Sequence, residues 1–172
     1  MKGDLHTLKK VCLYGSRVMY AGTIVLSAAL AAFLMLGAVS LFSDGAASLL
    51  QDCIGFHYNG HTALQVSASF SAMAIMLLLA VATVFTIYKI MLSIREEHSP
   101  FVDSTTDRMI RLSQIYLVCA VLLALLELVG VRGWVFAAFV FFGCLLLAVV
   151  LYSLALIIRY GAVLQDESDH TL

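Results

Sequence analysis

Residues 64–88 read LQVSASFSAMAIMLLLAVATVFTIY, with no Asp, Glu, Lys or Arg anywhere in the run. A helix of about 20 apolar residues, rising about 1.5 Å each, crosses roughly 30 Å of hydrocarbon. Eleven of these residues are Leu, Ile, Val or Phe, each contributing about −0.3 to −0.6 kcal/mol on the insertion scale. The stretch therefore favours lipid over water by several kcal/mol. Three further runs pass the same test with one charge or none: residues 18–42, 114–131 and 134–158. The third span in chain order is the shortest and holds Glu127, yet it also has eleven such aliphatic side chains. The fold class predicted is all-α: an integral membrane four-helix bundle, forming a single membrane domain over residues 1–172.

Composition agrees. Of the 172 residues, 62% are apolar and only 12% are charged, with a mean hydropathy of +1.00. A soluble domain has about 25% charged residues, so an ordinary globular enzyme and a disordered regulator are excluded. The net charge is −1, which also excludes nucleic-acid binding through a basic surface. Cys12, Cys53, Cys119 and Cys144 are widely spaced and form no C-x-x-C pair; two lie in apolar runs and read as small apolar side chains, and only Cys53 faces an oxidising compartment, so no disulfide framework is expected.

Orientation follows from where the cations fall. Lys2, Lys9, Lys10 and Arg17 precede the first span; Lys89, Arg95, Arg108 and Arg111 lie between the second and third; Arg159 follows the fourth. Only Arg132 falls on the other side. Nine against one predicts that both termini are cytoplasmic, in the cell membrane of a prokaryote. The first span has basic residues before it and Gly45, Ala46 and Ala47 after it, like a signal peptide, but its apolar run is long enough to predict an uncleaved anchor.

The connections carry the patterned polar sequence. On the outer side, residues 46–54 read as a short helix on the membrane, Asn59-Gly60 as a turn, and Gly130 to Gly133 as a tight reversal with Trp134 as an interfacial anchor. On the inner side, residues 89–113 form an elbow. The helix before it stops at His98-Ser99, because a residue preceding Pro100 is pushed out of the helical region. Phe101 dips back toward lipid, Asp103 or Ser104 caps the next helix, and Asp107 pairs with Arg111 four residues on. The tail, residues 159–172, carries Asp166, Glu167 and Asp169, opposite in charge to the head and available for a head-to-tail contact.

Two inner segments carry a likeness to a known family. Ile94-Arg95-Glu96-Glu97-His98-Ser99-Pro100-Phe101 leads to Arg108-Met109-Ile110-Arg111-Leu112, a Pro-Phe elbow before a basic helix. The carboxyl end reads Gly161-x-x-Leu164-Gln165-x-Glu167-Ser168-Asp169-x-Thr171-Leu172. Together they resemble the domain-of-unknown-function 2975 family of four-span prokaryotic membrane proteins, over about the second half of the chain. Ser104-Thr105-Thr106-Asp107 stands where members more often carry an acidic-asparagine pair. The resemblance implies four helices with both ends inside, and members often encoded beside small helix-turn-helix regulators. It implies no reaction.

Chemistry has few candidates. Glu127 is the one ionisable side chain inside a span, and burying a charge in lipid is costly. It lies near the outer end, where it can snorkel or form an intramembrane ion pair with Arg132; a proton or ion relay is the sharper alternative. His57 and His61 stand four apart near Asp44, Asp52 and Cys53, but the Asn59-Gly60 turn between them argues against a metal site. No nucleophile elbow, phosphate-cradling loop, H-E-x-x-H or haem-attachment motif is present. Neither an enzyme nor a cofactor is expected. Small pairs four apart (Ser27 with Ala31, Ala28 with Ala32, Ser67 with Ser71, Ala68 with Ala72) predict close helix contacts inside the bundle, or a homo-oligomer seam. Phe136, Phe139, Phe141 and Phe142 point around the fourth span as packing bulk.

The function expected is binding of a cytoplasmic protein, such as a helix-turn-helix transcriptional regulator. The residues read as partner-binding are Arg95, Pro100, Phe101, Arg108, Arg111, Leu164, Gln165, Glu167 and Asp169. The rival is a small transporter or channel working through Glu127; a structural subunit that recognises a peptide or lipid in the bilayer is a third class.

Overall fold

The computed structural model describes the backbone of residues 2–40, 42, 43, 45, 48–50, 52, 62–97, 103–130 and 132–170. Side chains are described for the same residues except 2–12, 94–97, 103, 104 and 165–170. Four helices account for nearly all of it: α1 (Lys2–Ser40), α2 (Ala63–Glu97), α3 (Asp103–Val129) and α4 (Gly133–His170). Each contains a segment long and apolar enough to cross a membrane: Leu13–Ser40, Ala63–Ser93, Thr105–Val129 and Gly133–Leu164.

Local sequence sets the helix ends. At the start of α2, Thr62 and Gln65 form a reciprocal capping box. The Thr62 N–H donates to Gln65 Oε1 at 3.0 Å, and the Gln65 N–H to Thr62 Oγ1 at 3.4 Å, which satisfies two donors that have no partner within the helix. α2 ends at Glu97, three residues before Pro100, and α3 begins at Asp103; the elbow residues His98, Ser99, Pro100 and Phe101 between them lie outside the described residues. Gly133 closes the reversal between α3 and α4 with φ +79°, a conformation glycine adopts without a Cβ penalty. α4 runs unbroken from Gly133 to His170, beyond the end of the expected span at residue 158, so most of the acidic tail extends the fourth helix.

Neighbouring helices pack antiparallel in chain order: α1 on α2, α2 on α3, α3 on α4. Among the described residues α1 makes no close backbone approach to α4. Four long apolar helices in this arrangement are compatible with a four-helix bundle, and α3 is the most enclosed. Ala120, Leu123 and Glu127 on α3 have no exposed surface. Leu79 of α2, Leu112 and Tyr116 of α3 and Ala148 of α4 form one core cluster, with Cys119 and Cys144 packed against it as partly buried free thiols.

The α1–α2 contact corrects one expectation. The enclosed positions of α1 include Ser16, Met19, Thr23, Leu26, Leu30, Phe33, Gly37 and Ser40, alternating three and four residues apart as in a coiled-coil seam. Glycine admits the partner helix at three points. Gly15 lies under Met91, Gly22 opposite Val84 and Gly37 under the Phe70 ring. Ser27, Ala28, Ala31 and Ala32 are on the outside, exposed. A small pair four apart permits close approach but does not choose the face, and here the glycines choose it. On α2, Ala68 and Ala72 are buried, whereas Ser67 is exposed. The Ser67 and Ser71 hydroxyls bond back to their own helix at the Leu64 and Ser67 carbonyls.

Of the outer loop, residues 48–50 are helical, and Leu50 is buried against Phe33. The rings of Phe33 and Phe70 stack with centroids 4.7 Å apart, and Leu36, Met73 and Leu77 close the cluster. The short segment thus folds onto the α1–α2 seam. The rest of the expected 46–54 helix lies largely outside the described residues.

Candidate functional site

At the end of the molecule where α3 turns into α4, side chains from three helices and the reversal converge. Glu127 is fully buried on α3, and Arg132 of the reversal reaches back to it, Nη1 standing 3.3 Å from Oε1. A carboxylate removed from solvent is tolerable only when paired or hydrogen-bonded, and Arg132 supplies both. The guanidinium is held in turn by α2 and α4. Its Nη2 lies 3.7 Å from Met73 Sδ, and its Cζ stands 4.9 Å from the Phe136 ring centre, within cation–π range. Ser69 of α2 is fully buried beside Gly130, whose missing Cβ makes room for the Ser69 hydroxyl. The Gly130 N–H closes the last turn of α3 on the Leu126 carbonyl at 2.8 Å. Glu127 Oε2 is buried and has no hydrogen-bond partner among the described residues.

Sequence reasoning named Glu127 and Arg132 but missed Ser69, Met73 and Phe136. Met73 also belongs to the Phe33–Leu50 cluster, so the ion pair is tied to the α1–α2 seam through one thioether. No local signal marks Met73 or Phe136, because one methionine or phenylalanine in an apolar helix looks like any other.

Polar groups also collect at the opposite end. Lys89 Nζ lies over the Phe85 ring at 5.5 Å, and Arg108 Nη1 donates to the Lys89 carbonyl at 3.3 Å, joining α3 to α2. The Tyr20 and Tyr88 rings meet at 5.5 Å across α1 and α2. Thr105, Thr106, Ser16 and Ser93 are buried hydroxyls in this half of the molecule. The expected Asp107–Arg111 ion pair is not formed: both side chains are exposed and no ion pair joins them among the described residues. Arg111 lies instead along apolar wall formed by Leu112 and Ile115. The correct four-residue spacing brings such groups within reach but, exposed to solvent, gives little free energy to hold them together.

Of the other partner-binding candidates, Leu164 is exposed on α4. Arg95, Gln165, Glu167 and Asp169 sit on helix backbone with side chains outside the description, and Pro100 and Phe101 lie outside it entirely. The head-to-tail charge contact and the pair His57 and His61 also fall outside the described residues. Among the described residues, no three His, Cys, Asp or Glu side chains gather where they can hold a metal ion. Comparison with protein-family models, with curated proteins and with solved structures finds no match.

Proposed function

We propose that this chain spans a prokaryotic cell membrane four times, with both termini cytoplasmic, and works by binding a cytoplasmic protein at its charged end. One observation carries the reading: the two ends of the helix array are chemically unlike. Nine of the ten Lys and Arg residues, and eight of the eleven Asp and Glu, belong to the end that holds the start of α1, the elbow and the end of α4. The helices also outrun their apolar segments there. α1 begins at Lys2, ahead of the apolar stretch starting at Leu13, an extension of about 16 Å. α4 continues past Leu164 to His170. Helical ends with mixed charge suit recognition of another protein. That the partner is a helix-turn-helix regulator rests on the family resemblance of the elbow and tail.

Site-specific photo-crosslinkers in native membranes test this. Probes at Asp107 and Tyr160 should capture one and the same cytoplasmic protein, and a probe at Trp134 should not. Capture of no common protein above the Trp134 background overturns the partner reading. Cysteine labelling that places positions 9 and 97 on opposite sides of the membrane overturns the topology.

A second reading is favoured by Glu127 Oε2, a buried carboxylate oxygen without a hydrogen-bond partner among the described residues. Such a group can take up a proton or cation, as in a small transporter or channel. Reconstituted protein should then show proton or cation flux that Glu127→Gln abolishes; unchanged flux removes this reading.

A further inference from the structure

Arg108 and Arg111 stand near the start of α3, and among the described residues no ion pair joins either to a carboxylate. Arg111 makes no hydrogen bond or ion pair among the described residues. Arg108 spends one donor on the Lys89 carbonyl, of the five a guanidinium carries. Two open grooves meet at this point. One, of about 210 Å³, lies between α2 and α3, with Phe85, Arg108, Arg111, Leu112 and Ile115 among its walls. The other, of about 430 Å³, runs along α3 from Arg111 and Gln114 past Ile115 to Val118. Arg111 and Ile115 belong to both. Each groove is therefore cationic at its mouth and apolar one and two helical turns further in.

Depth gives this arrangement its meaning. From Arg111 to Gly130 the helix rises about 28 Å, close to the roughly 30 Å of a bilayer's hydrocarbon layer. With the Gly130 turn at one face, Arg111 stands at headgroup level on the other, and Ile115 and Val118 stand among acyl chains.

We propose that the two grooves hold one anionic phospholipid. Its phosphate sits between the guanidinium groups of Arg108 and Arg111, one acyl chain runs against Phe85 and Leu112, and the other passes Ile115 and Val118. A lone inorganic phosphate leaves the apolar walls uncovered. A zwitterionic headgroup brings its own cation toward Arg108, Arg111 and the nearby Lys89. An acidic protein segment cannot follow the grooves below headgroup level without burying backbone polar groups in lipid. Basic pockets between helices on the cytoplasmic side are a recognised setting for anionic headgroups. The inference rests on the membrane-spanning reading above, and it gives to lipid Arg108 and Arg111, two of the residues expected to bind the protein partner.

The full chain, extracted in mild detergent, is examined by native mass spectrometry with phosphatidylglycerol, phosphatidylcholine or inorganic phosphate added separately. One phosphatidylglycerol should be retained where phosphatidylcholine is not, and inorganic phosphate should not displace it. Arg111→Gln should weaken retention about fivefold, the equivalent of one cation at the membrane surface. Arg111→Lys should keep most of it, and Arg17→Gln, outside both grooves, should change nothing. Equal retention of phosphatidylcholine, displacement by inorganic phosphate, or indifference to Arg111→Gln overturns the site. An alkaline carbonate wash separates the two layers of the argument: chain that stays in the membrane without lipid selectivity overturns the lipid site alone, whereas chain that washes free overturns the membrane reading as well.

Discussion

Arg132 reaches back from the α3–α4 reversal to place Nη1 3.3 Å from Glu127 Oε1, at a carboxylate with no exposed surface. The two residues are five apart in sequence, yet the guanidinium is also in contact with Met73 of α2 and Phe136 of α4. One cation thus ties three helices together at this end of the molecule. The same pair is the hub of the structural reading and, through Glu127 Oε2, of the transport reading. Its energetics separate the two.

If the pair is a clamp, removing the cation should hurt more than removing both charges. Arg132→Met leaves Glu127 buried and uncompensated, a change that costs about 3–5 kcal/mol in comparable buried pairs. The double variant Glu127→Leu with Arg132→Met should recover most of that loss. Thermal unfolding of the purified chain in detergent, followed by circular dichroism, measures both variants against the parent. A double variant no more stable than Arg132→Met contradicts the clamp.

The sequence made the number of helices legible because each crosses a length at which charge is almost absent, and Pro100 marked where α2 must already have ended. It did not make the packing faces legible. A helix apolar on every side gives no direction to its core-facing stripe, and Ser27, Ala28, Ala31 and Ala32 mimic a contact seam while facing outward. The face is decided by Gly15, Gly22 and Gly37 through the bulk of Met91, Val84 and Phe70 on another helix, which a single run of residues does not display. The site divides in the same way. Glu127 stood out as a charge in an apolar run and Arg132 as the lone outer cation, whereas Ser69, Met73 and Phe136 became part of it only through tertiary contact.

Gly37 should therefore be intolerant where Gly143 is not. A Cβ at Gly37 runs into the Phe70 ring, while one at Gly143 on α4 meets nothing within 4 Å. Gly37→Ala should cost about 1–3 kcal/mol through overpacking, and adding Phe70→Leu should relieve part of it. Gly143→Ala should instead be neutral or stabilising by about 0.5–1 kcal/mol, since it replaces a weak helix former at an open helical position. Detergent unfolding of the three variants against the parent decides this, and equal costs at positions 37 and 143 would show that the α1–α2 contact is looser than described.

A contrast is expected on the outward face of α1. Ala31→Leu enlarges a residue that is exposed and should leave the stability of the monomer within about 0.5 kcal/mol of the parent, the usual range for surface changes. If α1 used this face to meet a second copy of the chain, the same substitution would weaken that association. Cross-linking of the chain to itself in membranes, compared for Ala31→Leu and the parent, reads the difference directly. A monomer destabilised as strongly by Ala31→Leu as by Gly37→Ala would place the seam on the wrong side of the helix.

The hydrogen bond between α2 and α3 predicts an asymmetric pair of effects. Thr83 Oγ1 lies 2.7 Å from the Leu79 carbonyl and 2.7 Å from the Tyr116 hydroxyl. A threonine hydroxyl has a single proton. The Leu79 carbonyl can only accept, so Thr83 donates there and Tyr116 O–H donates to Thr83. Tyr116→Phe then removes a donor but leaves Thr83 bonded to its own helix, at a cost near the roughly 0.6 kcal/mol typical of such bonds between membrane helices. Thr83→Val removes the acceptor and strands a buried phenolic O–H, which costs about 1–3 kcal/mol. Adding Tyr116→Phe to Thr83→Val should restore stability toward that of Tyr116→Phe alone. A double-mutant cycle in detergent measures the sign, and a larger loss from Tyr116→Phe than from Thr83→Val would reverse the donor assignment.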